Sequence, residues 1–172
     1  QKPTGILNKI TLYPLTSYVL IDNSIDITAK GSDSSYYAVP ITNPEYYVDE
    51  NRISTIDENG KFTAKENGTV TVYAKSGNVI GSTNIVCIEK PTNIRIKNNK
   101  NSYVDSLNIN RKDEMSFTAD AYAGYNKLVA SSDSFKWSCD EIVGTITENG
   151  VFTATDNVKD VSGNIYVNVG TA

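Results

Sequence analysis

Thr55-Ile56-Asp57-Glu58-Asn59-Gly60-Lys61-Phe62-Thr63-Ala64 decides the fold, because it recurs as Thr145-Ile146-Thr147-Glu148-Asn149-Gly150-Val151-Phe152-Thr153-Ala154. Eight of the ten positions are identical, and the second copy lies 90 residues after the first. Each block reads as strand, turn, strand. Asn-Gly between apolar segments marks a tight β-turn, since φ > 0 is easily adopted there. Recurrence at one long period means one structural unit used twice. The same register runs upstream without a gap: Thr28-Ala29 meets Thr118-Ala119, Val39 meets Val129, and Tyr47 meets Trp137.

Farther out the offset shifts, as loops of unequal length allow. Ile10-Thr11-Leu12 matches Ile94-Arg95-Ile96 at an offset of 84, and Val70-Thr71-Val72 matches Ile165-Tyr166-Val167 at 95. The second copy therefore carries extra residues at 103–110 and again at 157–161. The boundary falls at Glu89-Lys90-Pro91-Thr92, giving domains 1–90 and 91–172. So few residues at the joint predict a short, stiff connection holding the modules end to end. The first copy continues through Val79–Ile88 after its Val70–Ala74 strand, whereas the second stops just past Ile165–Val169. The second domain is thus expected to lack its last strand, either because the natural polypeptide continues past it or because its tail is disordered. Beginning at Gln1, with no Met or leader segment, the sequence reads as starting after processing or at a cut within a longer chain.

Alternation supports strands in both halves. Ile25, Ile27 and Ala29 alternate with Asp26 and Thr28. Val70, Val72 and Ala74 alternate with Thr71, Tyr73 and Lys75, and Ile165, Val167 and Val169 with Tyr166 and Asn168. Period two with one apolar face is the pattern of a half-buried strand. Ser76-Gly77-Asn78 separates two such runs and reads as a hairpin. The 11 Tyr, the many Val, Ile and Thr, and the single Met point the same way. An all-β protein follows, with about seven short strands per copy in a two-sheet sandwich and no helix longer than two turns.

The run from Ile53 through Ala64, then Asn67-Gly68-Thr69-Val70-Thr71-Val72-Tyr73-Ala74, resembles the bacterial Ig-like group 2 (BIG2) domain. In the second copy Trp137, Val143-Gly144-Thr145-Ile146 and Asn149 through Ala154 follow the same order. The resemblance covers essentially the whole chain and is sharpest at 53–74. Two departures stand out: Tyr47 replaces the family's usual Trp, and Ser162-Gly163-Asn164 replaces its Gly-Thr pair. The resemblance implies two tandem immunoglobulin-like β-sandwich domains. It also implies a place in secreted or cell-surface bacterial proteins, as adhesin parts or accessory modules of secreted enzymes.

Composition removes several functions. The chain has 16 Lys plus Arg against 20 Asp plus Glu, a formal net charge of −4, which disfavours nucleic-acid partners. No apolar run approaches the roughly 18 residues needed to span a bilayer, so membrane insertion is not expected. With no His, the commonest general base and metal ligand are missing, and a Ser-His-Asp arrangement is impossible. No Gly-rich phosphate loop occurs. Cys87 and Cys139 fall at non-equivalent places in the two copies, so no disulfide is expected, and a buried Cys139 would make a poor nucleophile.

Two candidate sites are left. Asp49-Glu50, beside Asn51, and Asp140-Glu141 lie at nearly equivalent places and could offer oxygen ligands to calcium, or paired carboxylates for glycoside cleavage. They match no EF-hand pattern and read better as solvated loop charges. Tyr36-Tyr37, Tyr46-Tyr47, Tyr122 and Tyr125 could form an aromatic platform for sugars. Tyr more often covers a core with its ring and leaves its hydroxyl wet, and Tyr47, matched to Trp137, is expected in the core. The reading is therefore a non-enzyme without a cofactor: a structural, spacer or adhesion module whose partners are other domains of a longer polypeptide and a cell-surface glycan or protein. Its rivals are a carbohydrate- or receptor-binding module and an accessory region of a secreted glycoside-active hydrolase.

Overall fold

The computed structural model describes residues 2–170. It is all-β: among the described residues the one helical element is a single 3-10 turn at Ser132–Ser134. The chain divides into two compact units, Gln1–Glu89 and Lys90–Ala172.

Unit 1 contains β1 (Lys9–Tyr13), β2 (Thr16–Leu20), β3 (Ser24–Asp26), β4 (Thr28–Ser32), β5 (Ala38–Val39), β6 (Glu45–Val48), β7 (Ser54–Ile56), β8 (Lys61–Ala64), β9 (Gly68–Ser76) and β10 (Val79–Ile88). One layer is β2-β10-β9-β6, in which β2 runs parallel to β10 and the other pairs are antiparallel. The opposite layer combines β1-β4-β5 with β3-β8-β7. These two sheets join because β3 and β4 are interrupted only at Ile27, whose N–H donates to the Gly60 carbonyl at 2.8 Å. The result is an immunoglobulin-like β-sandwich. Ile10, Leu12, Val19, Ile27, Phe62, Val70, Val72 and Ile85 fill the space between the layers and are almost wholly buried. Each such side chain contributes about 1.5–3 kcal/mol by leaving water.

Unit 2 contains β11 (Asn93–Lys97), β12 (Glu114–Ser116), β13 (Thr118–Ala123), β14 (Asn126–Lys127), β15 (Phe135–Cys139), β16 (Gly144–Ile146), β17 (Val151–Ala154) and β18 (Ile165–Val169). Its sheets are β11-β13-β14, β12-β17-β16 and β15-β18. Phe117, Phe152 and Ala154 form its buried centre, with Trp137, Met115 and Ile165 packed against them.

The two Asn-Gly blocks fold alike. Gly60 N–H donates to the Asp57 carbonyl at 3.1 Å, and Gly150 N–H to that of Thr147 at 3.0 Å. Only the glycines take positive φ, +86° and +83°, while Asn59 and Asn149 do not. The turn is thus a three-residue loop closed by a left-handed glycine, rather than a two-residue turn with both central residues at φ > 0. A side chain starts each loop. Asp57 Oδ1 accepts the Lys61 N–H at 2.9 Å, and Thr147 Oγ1 accepts the Val151 N–H at 3.1 Å. The differing residue at this position performs the same task in both copies.

Early in each unit the offset of 84 matches the sheet register: Leu12 opposes Ala29 on β4, as Ile96 opposes Ala119 on β13. Two other alignments need correction. Tyr47 is 36% exposed and stacks outside the sheet on Tyr73, while Tyr46 packs on the core. Tyr46 lies over Gly60 as Trp137 lies over Gly150, so Tyr46 is the counterpart of Trp137, which is itself half-buried. The second correction comes from a pair of strand ties. Asp49 donates its N–H to the Thr71 carbonyl and accepts the Thr71 N–H, and Asp140 does the same with Asn164. Thr71 therefore corresponds to Asn164, and β9 matches β18 at an offset of 93 rather than 95.

Candidate functional site

Asp49, Glu50 and Asp140 are engaged by the chain itself, and Glu141 is exposed. Asp49 Oδ1 accepts the Thr71 N–H at 2.9 Å. Glu50 Oε1 accepts the Arg52 N–H at 3.3 Å, and the Glu50 carbonyl accepts the buried Ser54 hydroxyl at 2.9 Å. Asp140 Oδ2 accepts the Asn164 N–H at 2.8 Å, and its Oδ1 accepts the Tyr166 hydroxyl at 3.0 Å. In both units the carboxylate sits just past the end of a strand, β6 or β15, and ties the loop that follows to the next strand. Among the described residues no group of three His, Cys, Asp or Glu is arranged to hold a metal ion. Sequence reasoning put these aspartates at nearly equivalent places; their oxygens serve the backbone and, at Asp140, the Tyr166 hydroxyl as well.

Two buried aspartates went unremarked in the sequence. Asp33 is 1% exposed and accepts backbone N–H groups from Thr4, Ser35 and Tyr37 at 2.8, 2.9 and 3.0 Å. Desolvation by itself would raise its pKa, but those N–H bonds outweigh it and hold the carboxyl below the usual range. Asp33 closes the loop after β4 and pins the segment that precedes β1.

Asp120, 8% exposed, centres a network in unit 2. Tyr103 donates its hydroxyl to Asp120 Oδ2 at 2.5 Å and is hydrogen-bonded to the Tyr122 hydroxyl. Lys97 Nζ lies 3.2 Å and Lys127 Nζ 3.4 Å from Asp120 Oδ1, and the Arg95 guanidinium lies 3.7 Å above the Tyr103 ring. Burial pushes the Asp120 pKa up, but the Tyr103 and Lys97 hydrogen bonds and the lysine charges more than reverse that. The Tyr103 hydroxyl is pushed well above its ordinary value, chiefly by its hydrogen bond to Asp120. A phenol made so hard to ionise, donating to a satisfied carboxylate, braces the sheet and is a poor general base. Tyr122, a candidate for the aromatic platform, is thus engaged here.

The remaining tyrosines are dispersed. Tyr36 sits in a turn at φ +67° and is 85% exposed, and Tyr125 is fully exposed in the β13–β14 hairpin. Tyr47 and Tyr73, opposite each other on β6 and β9, stack face to face on the outer side of the sheet, with centroids 4.9 Å apart and planes 14° apart. The signal for Tyr73 was its alternation with the buried Val72 and Ala74, which places it on the outer face.

Both cysteines are free thiols. Burial raises the Cys87 pKa to about 11. Cys139 is raised by burial and then by the Asp140 charge, and its thiol donates to the Gly144 carbonyl at 3.3 Å. Neither presents a thiolate at neutral pH.

No protein-family model matches the chain, and no curated protein matches it at a significant level. Solved structures similar to it include domains 5–6 of the S-layer protein SbsC, at 17% identity and a TM-score of 0.49 over 96% of this chain and 92% of that one. An EHEC O157:H7 intimin mutant aligns at 20% identity and a TM-score of 0.38 over 55% of this chain and 52% of that one. The Escherichia coli adhesin FdeC aligns at 14% identity and 0.36 over 96% and 62%. At this distance the likeness concerns architecture alone.

Proposed function

We propose that the chain is a pair of tandem BIG2-like modules serving as a non-catalytic structural or adhesion segment of a bacterial secreted or cell-surface protein. The observation that carries this is the matched strand tie: Asp49 with Thr71, and Asp140 with Asn164. Asp49 and Asp140 each use a carboxylate oxygen to join strands, as suits a part that bears load and performs no chemistry. The BIG2 resemblance at 53–74 supports the surface setting. The test is mechanical: pulling the chain from its ends should give two unfolding events, and Asp140→Ala should weaken the unit 2 event alone. Turnover by the purified chain on glycosidic substrates, lost in Asp49→Asn or Asp140→Asn, would defeat the reading.

One observation favours a second reading. Tyr47, stacked on Tyr73 outside the sheet, is 36% exposed, and exposed aromatic ring surface is what a sugar ring packs on. Titration calorimetry with soluble polysaccharides tests it: heat of binding abolished by Tyr47→Ala would make unit 1 a carbohydrate-binding module.

A further inference from the structure

The outer face of β11-β13-β14 gathers charged groups that unit 1 does without. Directly opposed residues share a face of a sheet. Here Arg95 opposes Asp120, Lys97 opposes Thr118, and Tyr122 opposes both Asn93 and Lys127. Tyr103 joins this face from the following segment, bridged to Lys97. Ile94, Ile96, Ala119 and Ala121 alternate with these residues and take the other face, where Ile96 packs on the core. The matched register of the two units shows what stands at these places in unit 1. Lys9, Thr11 and Tyr13 replace Asn93, Arg95 and Lys97, and Lys30 and Ser32 replace Asp120 and Tyr122. The fold therefore requires neither a carboxylate at the centre of this face nor an arginine opposite it.

The three strands carry Arg95, Lys97 and Lys127 against the single carboxylate of Asp120. The Lys97 side chain is 15% exposed and is taken up by Asp120, whereas that of Lys127 is 58% exposed. Arg95 is exposed, and the stack on Tyr103 is the one interaction of its guanidinium among the described residues. The ring beneath it is fixed in turn, because the Tyr103 hydroxyl donates to Asp120. A stacked guanidinium is oriented while its planar fork of N–H donors is still unspent, and that fork matches a carboxylate through two parallel hydrogen bonds. Tyr125, fully exposed at the tip of the β13–β14 hairpin, lies two residues from Lys127. A sugar face packs on such a ring, and an acidic peptide has no comparable use for it.

We propose that Arg95, Lys127 and Tyr125 form a binding site for an acidic saccharide, one bearing carboxylates along its chain. Arg95 takes a carboxylate in its fork, Lys127 adds positive charge, and Tyr125 receives a sugar face. Tyr103 and Asp120 hold the two cations in place without touching the ligand. The site deepens the adhesion reading above and rests on it.

Titration calorimetry on the intact chain tests this with three probes: an oligogalacturonate, its uncharged methyl ester, and polyglutamate. Trp137-monitored melting accompanies each variant. The oligogalacturonate should bind, less tightly as salt rises, and the ester and polyglutamate should bind about tenfold more weakly or worse. Arg95→Ala should weaken binding by about tenfold or more, and Arg95→Lys should lose most of that, since lysine lacks the fork. Tyr125→Ala should weaken it several-fold, with all melting midpoints unchanged. Failure of the oligogalacturonate to bind, equal binding of the ester or polyglutamate, or a lowered midpoint with full binding in Arg95→Ala overturns the proposal. Cleavage of the bound oligogalacturonate would support the site and defeat the non-catalytic reading.

Discussion

Gly150→Ala should destabilise unit 2 far more than Gly124→Ala, although both glycines have positive φ, +83° and +61°. The left-handed conformation costs a residue with a Cβ roughly 1–2 kcal/mol, and both variants incur that. At Gly124 a Cβ meets nothing within 4 Å. At Gly150 it would stand 2.7 Å from the Phe117 carbonyl oxygen and 3.0 Å from Trp137 Cε2. The backbone has little room to yield, because the Phe117 N–H donates to the Gly150 carbonyl at 2.8 Å. Relieving the clash loosens that bond, worth about 0.5–1.5 kcal/mol net, and shifts the indole off the core. The total for Gly150→Ala is about 3 kcal/mol, against about 1 kcal/mol for Gly124→Ala. Urea titration followed by Trp137 fluorescence measures both in the same unit. Equal losses, or a Gly150 loss under about 1 kcal/mol, would refute the claim that this turn is locked against the Trp137 ring.

Acid should unfold unit 2 partly through Asp120. Its folded pKa lies below the unfolded value, so its contribution is present above roughly pH 4 and lost as pH falls below that, and Asp120→Asn should flatten the acid limb of a Trp137-monitored stability profile. Tyr103 has the opposite sign, since its raised pKa contributes stability below roughly pH 10 that is lost as pH rises, and Tyr103→Phe should remove that alkaline loss. Tyr46→Ala should cost about 3 kcal/mol and Tyr47→Ala about 1 kcal/mol or less, measured by circular dichroism melts; the reverse order would restore Tyr47 to the core. Cys87, with its thiol raised to about 11, should resist a thiol reagent at pH 8 until unit 1 unfolds.

The turn block was legible because its chemistry is local. Residues 57–60 and 147–150 carry within themselves the glycine and the side-chain acceptor that the loop needs. Tyr46-Tyr47 was not legible, because two adjacent tyrosines hide which faces inward. The connection from Asp49 to Ser54 is one residue longer than that from Asp140 to Gly144, so a constant offset slips there by one. A slip of one residue sends every side chain to the opposite face. The slip of two at β9 and β18 kept the faces and so left no trace in the alternation. The aspartate ties join residues 22 and 24 apart, contacts that no local pattern encodes.

The most direct test of the central claim, that the acidic residues hold strands and not ligands, is thermal unfolding of the intact chain and of Asp140→Ala, followed through Trp137, with and without millimolar calcium. The account predicts that Asp140→Ala destabilises unit 2 by the worth of two hydrogen bonds, about 1–3 kcal/mol, and lowers its midpoint by the same number of degrees in both conditions. A calcium-dependent rise in the midpoint of the unaltered chain that Asp140→Ala abolishes would contradict it and make Asp140 a metal ligand.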